Sequence, residues 1–281
     1  MLALAGAGIV LVALGVVDGQ LPAAGAGGLL HPARRRVVGP PPTGCQDATF
    51  AGEGVTLKGW RCGASARRRG TLVYLHGVAD NRTSAAGIVE RFTRRGFDLV
   101  AYDSRAHGES EGEACTYGFI EKQDLHRVLD TVGSGPIVLV GTSLGAAVAL
   151  QEAARDRRVT AVVAAETFSD LRTVAMERAP FFFTSGIIER AFTIAAQQGR
   201  FDVDAVSPAI AAAEIRIPVL LIHGAADVDT PPAHSQRVLA ALAGPKRLML
   251  VPGARHNEAL GGNVWGEIER WLEGVLGPAP G

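Results

Sequence analysis

A serine between two glycines is the first feature of this sequence that suggests chemistry. The segment Gly141-Thr142-Ser143-Leu144-Gly145 follows the apolar run PIVLV and precedes the helical pattern AAVALQEAAR. A serine hydroxyl attacks a carbonyl only when it is exposed, held in place and deprotonated by a neighbouring base. A sharp turn from strand to helix exposes the hydroxyl, and the flanking glycines let the two backbones approach each other. This context predicts that Ser143 is a nucleophile.

Alternating strands and helices must position this serine. The apolar runs are rich in Val, Leu and Ile without strict alternation, which is typical of strands buried on both faces of a parallel sheet. Helical patterns separate these runs, and this order indicates right-handed crossovers with helices on both faces. The predicted strands are 71–75, 98–102, 136–140, 159–165, 218–222 and 246–251, and the predicted helices are 85–95, 119–131, 144–156, 233–243 and 263–276.

Four further segments, each just after a predicted strand, give the chain a resemblance to a known family. They are His76-Gly77-Val78, DSRAHGES at 103–110, HGAAD at 223–227 and GARH at 253–256. With the Ser143 motif, they make residues 45–276 similar to the α/β-hydrolase superfamily, and within it to bacterial serine aminopeptidase-like hydrolases and ABHD-type serine hydrolases. The resemblance implies an α/β-hydrolase fold, a mostly parallel, doubly wound sheet with a small helical cap.

The resemblance also implies a catalytic triad in the chain order Ser143, Asp227, His256. His256 would take the serine proton and return a proton to the leaving group, while Asp227 fixes the tautomer of the imidazole. Asp229 is a rival acid two residues further on. We favour Asp227 because the family acid falls three residues after the glycine of the His-Gly turn.

The family pattern further implies the groups that bind the oxyanion. Backbone N–H groups of Leu144, at a helix N-terminus, and of Val78 would supply them. The chain has His-Gly-Val where many lipases have His-Gly-Gly-Gly, which leaves its acyl preference open. In this family the turn with Asp103 and His107, here with Ala106 where glycine is usual, is structural, so we expect neither residue to act directly.

About fifty residues separate the strand ending at 165 from the strand beginning at 218, more than one crossover needs. We expect a cap over the sheet at about 168–212. Within it, Phe181, Phe182 and Phe183 follow a proline. Either these rings line an apolar substrate pocket or they only pack the cap onto the domain.

The first 44 residues differ from the rest in composition. Residues 2–17 carry no charge and approach the length of a signal-peptide core or a membrane span. We therefore expect residues 1–20 to be a signal or a membrane anchor, and the protein to be membrane-anchored or exported; the alternative is a buried or disordered helix. Residues 21–44, rich in Gly, Pro and Ala, predict a linker without a helix, which leaves 45–281 for the hydrolase domain.

Two of the three cysteines, Cys45 and Cys62, flank a predicted hairpin with strands at 45–51 and 55–62. The hairpin places them opposite each other within about one residue. In an exported domain we expect a disulfide between them; the alternative is that both are small apolar fillers. Cys115 belongs to neither pattern.

Composition excludes several partners. With 28 basic and 28 acidic residues, no net charge draws the protein to nucleic acid, and we expect a small-molecule acyl substrate instead. The cysteines lack C-x-x-C spacing, the histidines lack H-E-x-x-H spacing, and no G-x-G-x-x-G follows the first strand. We therefore expect neither a metal nor another cofactor.

These features predict a serine hydrolase that cleaves a carboxylic ester of a small or medium acyl chain through an acyl-serine intermediate. Amidases and peptidases share the fold and the triad, so an aminopeptidase or amidase is the alternative. It would need an acidic group for the substrate's amine, and Glu166 is the candidate. A non-catalytic member that binds a ligand in the same cleft is a third hypothesis, although such members usually lose a triad residue.

Overall fold

The part of the chain that the structure describes, residues 19–278 of a computed structural model, contains an eight-stranded sheet. Its order is β1-β2-β4-β3-β5-β6-β7-β8, with β1 antiparallel to β2, β2 antiparallel to β4, and all other neighbours parallel. The strands are β1 (Cys45–Ala51), β2 (Thr56–Cys62), β3 (Gly70–Leu75), β4 (Phe97–Tyr102), β5 (Ile137–Thr142), β6 (Val159–Ala165), β7 (Val219–Gly224) and β8 (Lys246–Val251).

Helices cover both faces of this sheet. Alternate residues of the central strands face opposite cores: Val73 and Leu75 pack with α3, α4 and α8, whereas Leu72 and Tyr74 pack with α2 and α9. The helices are α1 (described over 19–30), α2 (Ala86–Thr93), α3 (Glu121–Leu129), α4 (Leu144–Ala153), α5 (Leu171–Arg178), α6 (Ser185–Gly199), α7 (Pro208–Ala212), α8 (Ala233–Ala241) and α9 (Val264–Leu276), with a short 3-10 helix at Arg82–Ala85.

The predicted α/β-hydrolase fold is confirmed, and the predicted strands and helices agree with the structure to within three residues at each end. The parallel strands β3 to β8 all end at one edge of the sheet. Because two cores bury both faces of these strands, the loops at that edge start from a rigid platform.

Helices α5, α6 and α7 lie between β6 and β7, where the cap was expected. Helices α5 and α6 share a third core with α1 and the first turns of α4, built around Phe168, Phe192 and Phe201, whereas α7 packs into the core of α4 and α8 through Ala212. This core holds the cap over the carboxyl edge of the sheet.

The prediction that residues 21–44 hold no helix is wrong, because residues 19–30 are helical. Ala26 and Leu30 are fully buried against the cap, and a Cβ built on Gly25 would lie 3.0 Å from Cε2 of Phe183. Alanine and leucine favour helix, and Gly25, which has no side chain, lets the helix approach Phe183 and Ala191 of the cap closely. Tertiary packing therefore outweighs the helix penalty of the glycines.

Within residues 19–278, no helix is both long enough and apolar enough to cross a bilayer. The apolar run at 2–17, on which the signal or anchor prediction depends, lies outside the described residues. That prediction is neither supported nor contradicted by the fold.

Cys45 and Cys62 lie directly opposite each other in the β1–β2 pair and form a disulfide. The pairing agrees with the register predicted from the hairpin. Cys115 is a buried free thiol.

Candidate active site

Ser143 occupies the tight turn between β5 and α4, with φ 50° and ψ −114°. This backbone conformation is strained for a residue with a side chain. A Cβ on Gly141 would overlap the backbone of Gly145, and a Cβ on Gly145 would overlap the carbonyl oxygen of Leu75. Glycine is therefore required at both positions, and the turn holds the Ser143 hydroxyl at the carboxyl edge of the sheet.

Three side chains that are distant in sequence meet at this edge. Oγ of Ser143 lies 3.0 Å from Nε2 of His256, and Nδ1 of His256 lies 2.7 Å from Oδ2 of Asp227. The other Asp227 oxygen accepts the backbone N–H groups of Asp229 and Thr230, at 3.0 and 2.8 Å. The structure thus brings together the residues predicted for the triad, and Asp229 contributes its backbone rather than its carboxylate.

Hydrogen bonds around Asp227 set the tautomer of His256. Burial alone would raise the pKa of Asp227, but hydrogen bonds from His223 and His256 and from the N–H of Thr230 outweigh burial, and the pKa lies well below its usual value. The resulting carboxylate accepts the proton on Nδ1 of His256, which leaves Nε2 with a free lone pair facing Ser143. In this tautomer His256 can accept the serine proton.

Two backbone N–H groups lie next to the serine. Leu144 is the first residue of α4, so its N–H has no intrahelical acceptor. Val78 follows Gly77, and a Cβ built on Gly77 would lie 3.5 Å from Cβ of Ser143. Neither N–H donates a hydrogen bond to another described residue. Both are available to an oxygen atom bound beside Ser143, as the family pattern implies.

Glu166 has a role that sequence reasoning missed. It directly follows β6 in a left-handed conformation, with φ 54°, and is only 1% exposed. Its two oxygens accept the N–H groups of Asn257 and Ala259, at 2.7 and 3.0 Å. Burial raises the pKa of Glu166 despite these two bonds. The carboxylate fastens the loop that carries His256, so the suggestion that it holds a substrate amine is wrong.

The turn at 103–110 is structural, as expected. Asp103 accepts the backbone N–H groups of Arg82 and Glu109, and forms an ion pair with the buried Arg82 guanidinium. His107 bonds the carbonyl of Arg105 through Nδ1, and burial lowers its pKa to about 4. Neither side chain is among the hydrogen-bond partners of Ser143 or His256.

A pocket of about 770 Å³ lies between α1 and the cap and reaches Val78. Phe182 and Phe183 line it, but Phe181 is fully exposed and does not. Phe182 and Phe183 therefore lie where they can contact a substrate in the pocket, whereas Phe181 faces solvent. The sequence did not predict that α1 forms one wall of this pocket, because residues 21–44 were expected to be a linker without a helix.

Arg178, the last residue of α5, lines the same pocket. Its Nη2 lies 3.3 Å from Nε2 of His256 and 2.5 Å from the hydroxyl of Thr230, and its Nε donates to the carbonyl of Asp229 at 2.7 Å. No sequence motif marks this cap residue, and only the tertiary fold brings it to the triad.

One cluster of metal-ligating residue types lies at the far end of α4 from Ser143. His126, Glu152 and Asp156 place a ring nitrogen and two carboxylates within 4.8 Å of one another. Arg158 donates to Asp156 at 2.6 Å, and Arg155 lies 3.5 Å from Glu152. These two guanidinium groups balance the carboxylate charges.

The comparisons with known proteins agree with this fold. Residues 70–201 match the family model described as the alpha/beta hydrolase fold. The uncharacterized protein YfhR of Escherichia coli K12 is 29% identical over 236 residues, which cover 80% of this chain and 78% of YfhR.

Solved structures of two archaeal enzymes have a similar fold. The Pyrococcus furiosus esterase Pf2001 matches with a TM-score of 0.67 and 22% identity, over 88% of this chain and 99% of the esterase. The acylaminoacyl peptidase of Pyrococcus horikoshii matches with a TM-score of 0.65 and 15% identity, over 84% of this chain and 42% of the peptidase. These matches show that the chain has the α/β-hydrolase fold.

Proposed function

We propose that this protein is a serine hydrolase that cleaves a carboxylic ester through an acyl intermediate on Ser143. The observation that carries the proposal is the continuous chain of hydrogen bonds from Ser143 through His256 to Asp227, with distances of 3.0 and 2.7 Å. Nucleophile, base and orienting acid are all within the reach that acyl transfer requires.

Each step has a residue to perform it. Nε2 of His256 accepts the hydroxyl proton as Oγ of Ser143 bonds to the ester carbon. The carbonyl oxygen becomes an oxyanion, which the N–H groups of Leu144 and Val78 bind. His256 then gives its proton to the leaving alcohol oxygen as the ester C–O bond breaks, and water repeats the sequence to release the acid.

The pocket between α1 and the cap supports an apolar acyl group. It reaches Val78, one of the two oxyanion donors, and its walls include Phe182 and Phe183. A volume of about 770 Å³ is within the range of small-molecule sites. We place the acyl chain there, and a small or medium chain fits this space.

An amidase or aminopeptidase on the same triad is the alternative. The fold likeness to an acylaminoacyl peptidase is compatible with it. However, Glu166 is occupied by backbone N–H groups, and no carboxylate of residues 19–278 lines the pocket to hold an amine. We therefore favour the ester.

The test compares kcat/KM of the full chain on 4-nitrophenyl esters, from acetyl to dodecanoyl, with kcat/KM on aminoacyl 4-nitroanilides. We expect ester cleavage to dominate, and Ser143→Ala to abolish it. Ser134→Ala, at an exposed turn, is the matched control and should leave the rate unchanged. Faster anilide turnover would favour the amidase, and full activity of Ser143→Ala would refute the proposed nucleophile.

We further propose that the hydrolase domain is exported. The Cys45–Cys62 disulfide supports this, because disulfides persist mainly in oxidising compartments. The test is to quench cells in acid, to alkylate the protein under denaturing conditions without reductant, and to count the alkylated cysteines. One alkylated cysteine, Cys115, is expected; three would contradict the proposal.

A further inference from the structure

Arg178 is a cation in the pocket, and among residues 19–278 it has no acidic partner. Within that range its N–H groups reach the carbonyl of Asp229, the hydroxyl of Thr230 and the imidazole of His256, all of them uncharged acceptors. No carboxylate of residues 19–278 lies within 4.0 Å of its guanidinium. A guanidinium forms its strongest and most directional bonds with carboxylate and phosphate oxygens. Its position therefore suits an anionic group of a ligand.

Arg172, on the same helix as Arg178, does have acidic partners. Its guanidinium lies 2.6 Å from the Asp204 carboxylate and 2.8 Å from that of Glu189. Carboxylates of the cap therefore pair with Arg172, which does not line the pocket, whereas no carboxylate of the described residues pairs with Arg178, which does.

The position of Arg178 also affects the chemical step. Nε2 of His256 has one in-plane lone pair, and two donors approach it: Oγ of Ser143 at 3.0 Å and Nη2 of Arg178 at 3.3 Å. Arg178 thus competes with the serine for the base. Once Nε2 takes the serine proton, two positive groups are adjacent, and like charges at this distance repel. An anion bound to the guanidinium would remove both effects.

We propose that Arg178 is a substrate-binding subsite, and that the substrate is a carboxylic ester whose alcohol part carries a carboxylate or phosphate close to the scissile oxygen. This rests on the proposed serine-hydrolase function. The alcohol side is assigned because Nε2 of His256 gives its proton to the leaving oxygen, so a group beside Nε2 is beside the leaving group. With the acyl chain in the apolar pocket, the substrate is an amphipathic anion.

The test uses two substrates with the same acyl group and glycerol, 1-butyrylglycerol and 1-butyrylglycerol 3-phosphate, of which only the second carries an anionic phosphate. A third substrate, 3-(butyryloxy)propanoate, replaces the phosphate by a carboxylate. Wild-type protein should prefer the anionic esters by about tenfold or more in kcat/KM. The faster of the two anionic esters identifies which oxyanion the subsite takes.

Arg178→Gln should change the rates on anionic and neutral esters in opposite directions. For the preferred anionic ester we expect kcat/KM to fall about tenfold to a hundredfold, because a charge-assisted hydrogen bond to the anion is lost. For the neutral ester we expect kcat to rise by up to about tenfold, since the repulsion of the imidazolium disappears. Arg178→Lys should keep part of the anionic preference.

Arg270→Gln is the matched control, because Arg270 is an exposed arginine on α9 that pairs with Glu267. It should leave all rates unchanged. Equal changes of Arg178→Gln on neutral and anionic esters would overturn the subsite, since they would mean that Arg178 only holds the turn at 229–230. Wild-type protein that cleaves no ester at all would overturn the proposed function itself.

Discussion

Glu166→Gln tests how the loop that carries His256 is held. The two oxygens of Glu166 accept the N–H groups of Asn257 and Ala259 at 2.7 and 3.0 Å, in a site that is only 1% exposed. Glutamine has the same shape but offers one oxygen and one NH₂ group. One of the two backbone N–H groups must then face another donor.

The loss of stability expected for Glu166→Gln follows from these contacts. A hydrogen bond to a charged group contributes about 1.5–3 kcal/mol, and an unpaired buried N–H costs about 1–3 kcal/mol. Against this, burial raises the pKa of Glu166, so the charge itself is costly to bury and glutamine relieves that cost. We expect the free energy of unfolding to fall by about 2 kcal/mol.

The same change should slow the reaction. Because Asn257 directly follows His256, a loosened loop misplaces the imidazole, and we expect kcat on an ester to fall about tenfold with little change in KM. Urea unfolding followed by tryptophan fluorescence gives the stability, and the same preparation gives kcat. Glu113→Gln, at an exposed glutamate, is the control. If Glu166→Gln had the same stability and the same kcat as the wild type, the reasoning would be refuted.

Three further predictions concern the triad, a buried histidine and the disulfide. Asp227→Asn should lower kcat on an ester about a thousandfold or more by favouring the wrong tautomer of His256, while Asp229→Asn should stay within about twofold of wild type; the reverse order would assign the acid to Asp229. The pKa of His107, lowered by burial to about 4 from 6.5, means that the unfolded chain binds more protons between these values. Stability should therefore fall by up to about 3 kcal/mol as the pH drops through this window, and urea titrations at several pH values should show a shallower fall for His107→Gln. Replacing Cys45 and Cys62 by serine removes a link across 17 residues and should lower the unfolding free energy by about 3 kcal/mol in urea, a change that a reductant should reproduce in wild type.

The triad residues could be predicted because each has a local signature. Ser143 lies between glycines that a strand-to-helix turn requires, and His256 and Asp227 follow apolar strands in the expected chain order. Such patterns depend on a few neighbouring residues, and the structure preserves them.

Glu166 and Arg178 have no such signature. Glu166 bonds a loop 91 residues further along the chain, and Arg178 meets an imidazole 78 residues away. Only the packing of the cap and the order of the strands bring these groups to the triad. Local composition therefore led to a wrong role for Glu166 and to no role for Arg178.

The N-terminal helix shows the same limit. Its glycines and alanines resemble a linker when considered alone, but Ala26 and Leu30 are buried against the cap. Similarly, three adjacent phenylalanines look equivalent in the sequence, whereas the loop turns Phe181 into solvent and Phe183 toward α1. In both cases the partner surface, which the sequence does not show, determines the outcome.

The most direct measurement is to label the folded full-length protein with a fluorophosphonate and to locate the adduct by peptide mass spectrometry. If His256 activates the hydroxyl at the turn between β5 and α4, the probe should modify Ser143 alone, and His256→Gln should slow the modification by orders of magnitude. A folded protein that stays unlabelled at Ser143, or that is labelled equally fast without His256, would contradict the account.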